Sequence, residues 1–114
     1  MSEALSRHVA AFNNRDLQGL LDGFTEDAVW ITGSSVVRGR EELTELFSGA
    51  MEQLLPTLKV ENVLADGDQI AAQLTERLTH NGEDQVFAIA GFYRLSGDRI
   101  KSAKIYREGS AELD

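Results

Sequence analysis

The chain has 114 residues, 42% of them hydrophobic and 26% charged, with a formal net charge of -8 at pH 7 and no cysteine. This is an ordinary globular composition, sufficient for one domain around a single core. The acidic balance, with lysines and arginines scattered, works against binding to a nucleic-acid backbone, and the missing thiols exclude disulfides, thiolate nucleophiles and cysteine-based zinc sites.

The first stretch, Met1-Ser-Glu-Ala-Leu-Ser-Arg, lacks the basic start and apolar run of a signal peptide. The longest apolar run, Val86 to Tyr93, is far short of the roughly 20 residues that span a bilayer. The expectation is one cytoplasmic domain over residues 1–114 with a short acidic tail at 108–114, and neither membrane nor nucleic acid as partner.

Ser2 can cap a first helix, on which Leu5, His8, Val9 and Phe12 share one face at i, i+3, i+4 and i+7 spacing. Asn13-Asn14 favours a break, and Asp16 can cap a second, short helix with the stripe Leu17, Leu20, Leu21 and Phe24, weakened by Gly19 and Gly23. Ala28 to Thr32 is rich in strand formers, Gly33-Ser-Ser turns, and Val36-Val37 is a brief extended piece. A third helix is predicted from about Arg40 to Leu54, with the stripe Leu43, Leu46, Phe47, Ala50, Met51 and Leu54, stopped by Pro56.

Everything after Pro56 reads as strand. Leu58 to Ala65 leads through the hairpin signal Asp66-Gly67 into residues 69–80, which alternate in a period of two. Ile70, Ala72, Leu74 and Leu78 share the apolar face of that strand, interrupted by Glu76 and ended by His80. Asn81-Gly82 is a second hairpin signal, and Gln85 to Leu95 is so apolar that it reads as a strand covered on both faces. Ser96-Gly97-Asp98 turns into a last strand, Arg99 to Arg107, whose weak alternation leaves its register open. Three helices, one early strand and a four-stranded antiparallel meander make an α+β fold. The sheet, mixed or antiparallel, must curl into a cone around the helix stripes, with a pocket at its open end.

The runs Arg7-His-Val-Ala-Ala-Phe-Asn-Asn-Arg-Asp-Leu, Phe24-Thr-Glu-Asp-Ala-Val-Trp and Val37-Arg-Gly-Arg-Glu-Glu-Leu resemble the SnoaL-like and ketosteroid-isomerase-like members of the nuclear-transport-factor-2-like superfamily. The resemblance implies the cone-shaped α+β roll, but not one activity, because the superfamily holds isomerases, dehydratases, cyclases, epoxide hydrolases, binding proteins and adaptors. Where ketosteroid isomerases carry an oxyanion-binding tyrosine and two aspartates, this chain has His8, Thr32 and Gly91, so steroid isomerisation by that two-aspartate mechanism is not expected. The resemblance places Trp30, Thr32, Leu74, Glu76, Leu78, Ile89, Gly91, Tyr93, Ala103 and Ile105 on the cavity wall, and Arg107 near its mouth. It also implies a homodimer through the outer sheet face, where Gln73, Thr75, Arg77, Ala88, Ala90 and Phe92 would lie.

Glu76 is the acid–base candidate, since burial in an apolar cavity disfavours a charged carboxylate and suits it to proton transfer near neutral pH; His8 is its prospective partner. The competing reading is that Glu76 only pairs with a cation such as Arg107 or Arg94, and that His8 is packing. Phe12, Trp30, Phe87 and Tyr93 can stack a flat ligand or be ordinary core. Two histidines without i, i+4 spacing argue against a metal, Ser34-Ser35 has no base beside it, and no cofactor is expected. The carboxylate pairs Glu26-Asp27, Glu41-Glu42 and Glu83-Asp84 read as solvated surface. Three functions stay open: a cofactor-free isomerase, dehydratase or cyclase acting on a small, partly apolar carbonyl compound; a binder of such a compound; and a dimerising adaptor.

Overall fold

A computed structural model describes residues 3–54, 56–80 and 82–108, apart from the His80 side chain. Ser2, Asn81 and the tail beyond Glu108 therefore lie outside the described residues. Helix α1 (Glu3–Asn13) buries Ala4, Leu5, His8 and Phe12, the face marked by the sequence spacing.

Its end is a tight corner. Arg15 takes a left-handed φ of 59°, its N–H donates to Phe12 O at 3.2 Å, and the Asp16 N–H donates to Ala11 O at 2.9 Å. This is a Schellman closure with arginine where glycine is usual. The Arg15 guanidinium donates to Phe12 O and Pro56 O. Asp16 Oδ1 accepts from the Gly19 N–H at 3.0 Å and so caps α2 (Leu17–Asp22). Asn13 faces the other way: its Oδ1 accepts from the Leu58 N–H at 2.8 Å and its Nδ2 donates to Leu58 O at 2.9 Å. One side chain thus makes the pair of bonds that a neighbouring strand residue would make.

Then come β1 (Phe24–Thr32), β2 (Ser35–Arg38), α3 (Gly39–Gln53), β3 (Thr57–Asp66), β4 (Gln69–His80), β5 (Glu83–Ser96) and β6 (Arg99–Arg107). The strands form one open, curved, six-stranded sheet in the order β2-β1-β6-β5-β4-β3. Every neighbouring pair is antiparallel except β1 and β6, which run parallel. The helices lie against the concave face.

Two single-residue bulges accompany the curl, besides a longer irregularity between Phe24 and Val29 where β1 runs beside β6. Between Val60↔Leu74 and Asn62↔Gln73, Glu61 is the extra residue on β3; between Arg94↔Ser102 and Leu95↔Ile100, Lys101 is the extra residue on β6. An extra residue bends its strand and raises the local twist. It also switches which parity faces inward: on β6 Ile100 is buried, then Ala103 and Ile105. The weak alternation of the last strand is this switch.

Three expectations need correction. Phe24 does not end the second helix stripe: Gly23 caps α2, and Phe24 opens β1 beside Ile100. The polar run Thr25-Glu-Asp hides a strand that starts four residues before Ala28. The brief extended piece at Val36-Val37 is the middle of β2, paired along β1, so two strands rather than one precede the meander. Finally, β5 is covered on one face only within this chain, with Phe92 55% exposed on the other. No helix among the described residues is long and apolar enough to cross a membrane.

Candidate functional site

The concave side of the sheet and the helices enclose a cavity of about 220 Å³. From α1 come His8 and Phe12, from β1 Trp30 and Thr32, from β4 Leu74, Glu76 and Leu78, from β5 Ile89 and Tyr93, and from β6 Ile105 and Arg107. Period-two alternation explains the strand contributions, since every second side chain of β4 and β5 looks inward. Larger hollows of about 640 and 460 Å³ lie over the opposite side of the sheet, beside the outward-pointing Thr75, Ala88 and Tyr106 and beside Leu64, Phe92 and Lys104. They are open troughs on an uncovered face; among the residues bordering them Tyr93, which also lines the cavity, is the buried titratable one.

Of the residues the resemblance places on the cavity wall, Gly91 and Ala103 are not there, and Phe87, the further stacking candidate, is not on it either. Gly91 and Ala103 are both buried. At Gly91 the reason is specific: a Cβ there would stand 2.5 Å from the Tyr93 hydroxyl oxygen and 2.6 Å from its ring carbon Cζ. The phenol of Tyr93 leans back along its own strand and occupies the space a side chain at position 91 would need.

The sequence reading treated the third helix as core and so missed that part of it lines the cavity. Leu43, Phe47 and Met51 are buried, whereas Leu46, Ala50 and Leu54 form a second row on the cavity wall, joined there by Phe47, Pro56 and Leu58. The available signal was width. Six apolar positions make two parallel rows, more than one packing stripe requires.

Two polar centres stand in this wall. Glu76 is 6% exposed, and its Oε1 accepts from Arg107 Nη2 at 2.6 Å. Arg107, 40% exposed by its side chain, reaches in from the mouth and lies over the Phe87 ring at 5.6 Å. Oε2 of Glu76 makes no hydrogen bond among the described residues, which leaves one oxygen of an otherwise tethered carboxylate for a ligand. Arg94, the other cation considered, is exposed on the outer parity of β5.

His8 is the second centre, 3% exposed. Its imidazole is surrounded by Phe24 at 5.6 Å, Trp30 at 5.7 Å, Tyr93 at 6.1 Å, Phe12 at 6.3 Å and Phe47 at 6.5 Å between ring centroids. Burial lowers its pKa from 6.5 to about 4, because these rings replace the water an imidazolium needs. His8 is therefore neutral at pH 7, and its Nδ1 has no hydrogen-bond partner. Burial also pushes the Tyr93 phenol well above its ordinary value, so it stays protonated and can donate. Glu76 and His8 share the cavity with no hydrogen bond or ion pair between them among the described residues; the partner of Glu76 is Arg107.

No curated protein matches the chain. Among solved structures, the epoxide hydrolase/cyclase-like enzyme SalBIII, from pyran ring formation in salinomycin, superimposes with a TM-score of 0.87 at 21% identity, covering 94% of this chain and 89% of that one. An epoxide hydrolase of M. tuberculosis described as LEH-like gives 0.84 at 21% identity over 92% and 80% of the two chains. A ketosteroid-isomerase-like protein of Catenulispora acidiphila, solved with trimethylamine, gives 0.84 at 15% identity over 97% and 88%. At these identities the likeness is one of fold. The model of the SnoaL-like domain matches residues 5–103, which is most of the chain and every element from α1 to the middle of β6: the protein belongs to the SnoaL-like domain family.

Proposed function

We propose that the protein binds a small, neutral, partly apolar molecule in this cavity and acts on it by acid–base chemistry without a cofactor, with Glu76 as the proton-transferring group. The observation that carries this reading is the tethered carboxylate in an otherwise largely apolar wall: Oε1 is held by Arg107 and Oε2 is free. A fixed carboxylate away from bulk water suits proton transfer to or from a bound carbon or oxygen. The substrate class is a small carbonyl compound undergoing isomerisation, dehydration or cyclisation, and the epoxide hydrolase and cyclase-like enzymes of the same fold extend it to a small epoxide. His8, Phe12 and Trp30 shape the inner wall, Thr32, Leu78, Ile89 and Ile105 continue it, and Arg107 orients the substrate from the mouth.

A non-catalytic binder is the second reading, favoured by the Glu76–Arg107 pair itself, since a carboxylate satisfied by its neighbour need not react. An adaptor with a filled interior is the reading the cavity argues against. Either way the chain works as a homodimer through the outer sheet face.

The test is a panel of small cyclic ketones, enones and epoxides, examined first for binding by ligand-observed NMR and then for turnover. Glu76→Gln keeps the shape of the side chain and removes its basicity. Catalysis predicts a fall in kcat of about 10²–10⁴-fold with binding changed only a few-fold. A Glu76→Gln protein that turns over as fast as the wild type overturns the assignment of Glu76; binding without turnover by the wild type leaves the binder.

A further inference from the structure

Gly91 and Tyr93 point inward from the same strand, two residues apart. Their side chains would ordinarily stand side by side, but a Cβ on residue 91 would overlap the Tyr93 ring at Cε1, Cζ and Oη, all within 2.6 Å. The ring therefore lies over the bare backbone of Gly91, with its hydroxyl end turned back along β5. Tyr93 lines the cavity while being only 3% exposed, and its ring stands 6.1 Å from that of His8 on the same wall. Among the described residues no protein group hydrogen-bonds the hydroxyl. Among the described residues only His8 Nδ1 is a fully buried side-chain polar atom without a partner, so the hydroxyl oxygen is not sealed off and a bound molecule can supply the partner a phenol in an apolar wall normally has.

We infer that Gly91 is a positioning residue whose missing side chain lets Tyr93 fold across it, and that the Tyr93 hydroxyl so placed is the hydrogen-bond donor for an oxygen acceptor, a carbonyl or epoxide oxygen, of a neutral ligand. The inference rests on the proposed small-molecule function and adds what the ligand must carry and where. Glu76 and Arg107 mark one polar end of the cavity and the phenol marks another. The protonated state of the phenol fits a donor rather than an anion, and the neutral His8 imidazole beside it provides no charge to attract an anionic ligand. Gly91 takes ordinary strand backbone, so an alanine there meets the far end of one side chain and not a backbone constraint. The expected consequence is a displaced phenol in an otherwise intact fold.

The experiment compares cyclohexanone with methylenecyclohexane, similar in shape but without the oxygen, by NMR titration of the wild type, Tyr93→Phe and Gly91→Ala. The wild type is expected to favour the ketone about 3–10-fold, the size of one net hydrogen bond, and to shift the carbonyl ¹³C resonance of labelled ketone on binding. Tyr93→Phe, which keeps the ring, should abolish both the preference and the shift while still binding the hydrocarbon; Gly91→Ala should do the same. If Tyr93→Phe keeps the preference and the carbonyl shift, the inference is overturned and the pocket reading stands. If Tyr93→Phe loses them but Gly91→Ala does not, the positioning role of Gly91 is overturned. Should neither compound bind the wild type, the pocket reading fails for ligands of this class and the inference fails with it.

Discussion

His8 is the side chain whose surroundings differ most from water. Its unfolded pKa is near 6.5 and its folded value about 4, so between those pH values the unfolded chain holds more protons than the folded one. Stability then rises with pH through that window: the contribution is complete above about 6.5 and is lost as pH falls toward 4. A depression of that size corresponds to about 3 kcal/mol. Urea midpoints measured from pH 7.5 down to 4.5 should fall in the wild type, and His8→Phe, which fills the same aromatic nest, should flatten the decline. An unchanged pH slope in that variant would mean the imidazole already accepts a proton in the folded state. Sequence spacing placed His8 on the buried face of α1 but left its charge state open, because that depends on five rings from α1, β1, α3 and β5. Glu76 was legible for the opposite reason. Strand parity alone determined that it faced inward, and parity needs only its own neighbours.

At the scale of elements, the corner between α1 and α2 sets where His8 and Phe12 stand against the sheet. The sequence marked Asn13-Asn14 as a break and Asp16 as a cap. It could not show that Asn13 grips the backbone of Leu58, 45 residues away, through both ends of its amide. Asn13→Ala removes two partly buried hydrogen bonds and leaves the Leu58 N–H and C=O short of partners, a cost of about 2–3 kcal/mol. Asn13→Asp keeps the acceptor, loses the donor and sets a carboxylate against the Leu58 carbonyl, so it should recover little of that loss. Chemical denaturation of the two variants checks both values; a loss below about 0.5 kcal/mol in Asn13→Ala would show that water replaces the amide freely. The same limit of range explains the missed parallel pairing of β1 with β6. It joins Trp30 to Ala103 across most of the chain, and neither strand carries a local mark of its distant neighbour. The β2 hairpin was closer to hand, but four residues with three of them exposed give too short a pattern to read.

For the whole molecule, the convex face of the sheet carries the largest exposed apolar side chains. On it Phe92 is 55% exposed, Tyr106 51% and Leu64 75%; Phe92 and Tyr106 meet edge to face at 5.8 Å, with Lys104 lying 5.5 Å over the Tyr106 ring. Exposed rings next to the half-buried Ala88 and Ala90 are unusual for a lone chain, and they are the second face of the strand whose sequence read as covered on both sides. Charges of both signs border the rings, Glu61, Glu108 and Arg107 at one trough and Asp66, Arg94 and Lys104 at the other. A two-fold axis lying across such a face can set charges of opposite sign on the two copies against each other, whereas an unrelated partner would need its own matching pattern. A second copy is therefore the occupant proposed for this surface. Sedimentation equilibrium should give the mass of two chains for the wild type. Phe92→Lys places a cation among the apolar side chains of both copies and should give single chains, with the far-ultraviolet spectrum unchanged because Phe92 contributes nothing to the cavity side. Two chains in the Phe92→Lys protein would move the interface off this face, and a single chain in the wild type would leave the rings for a different partner.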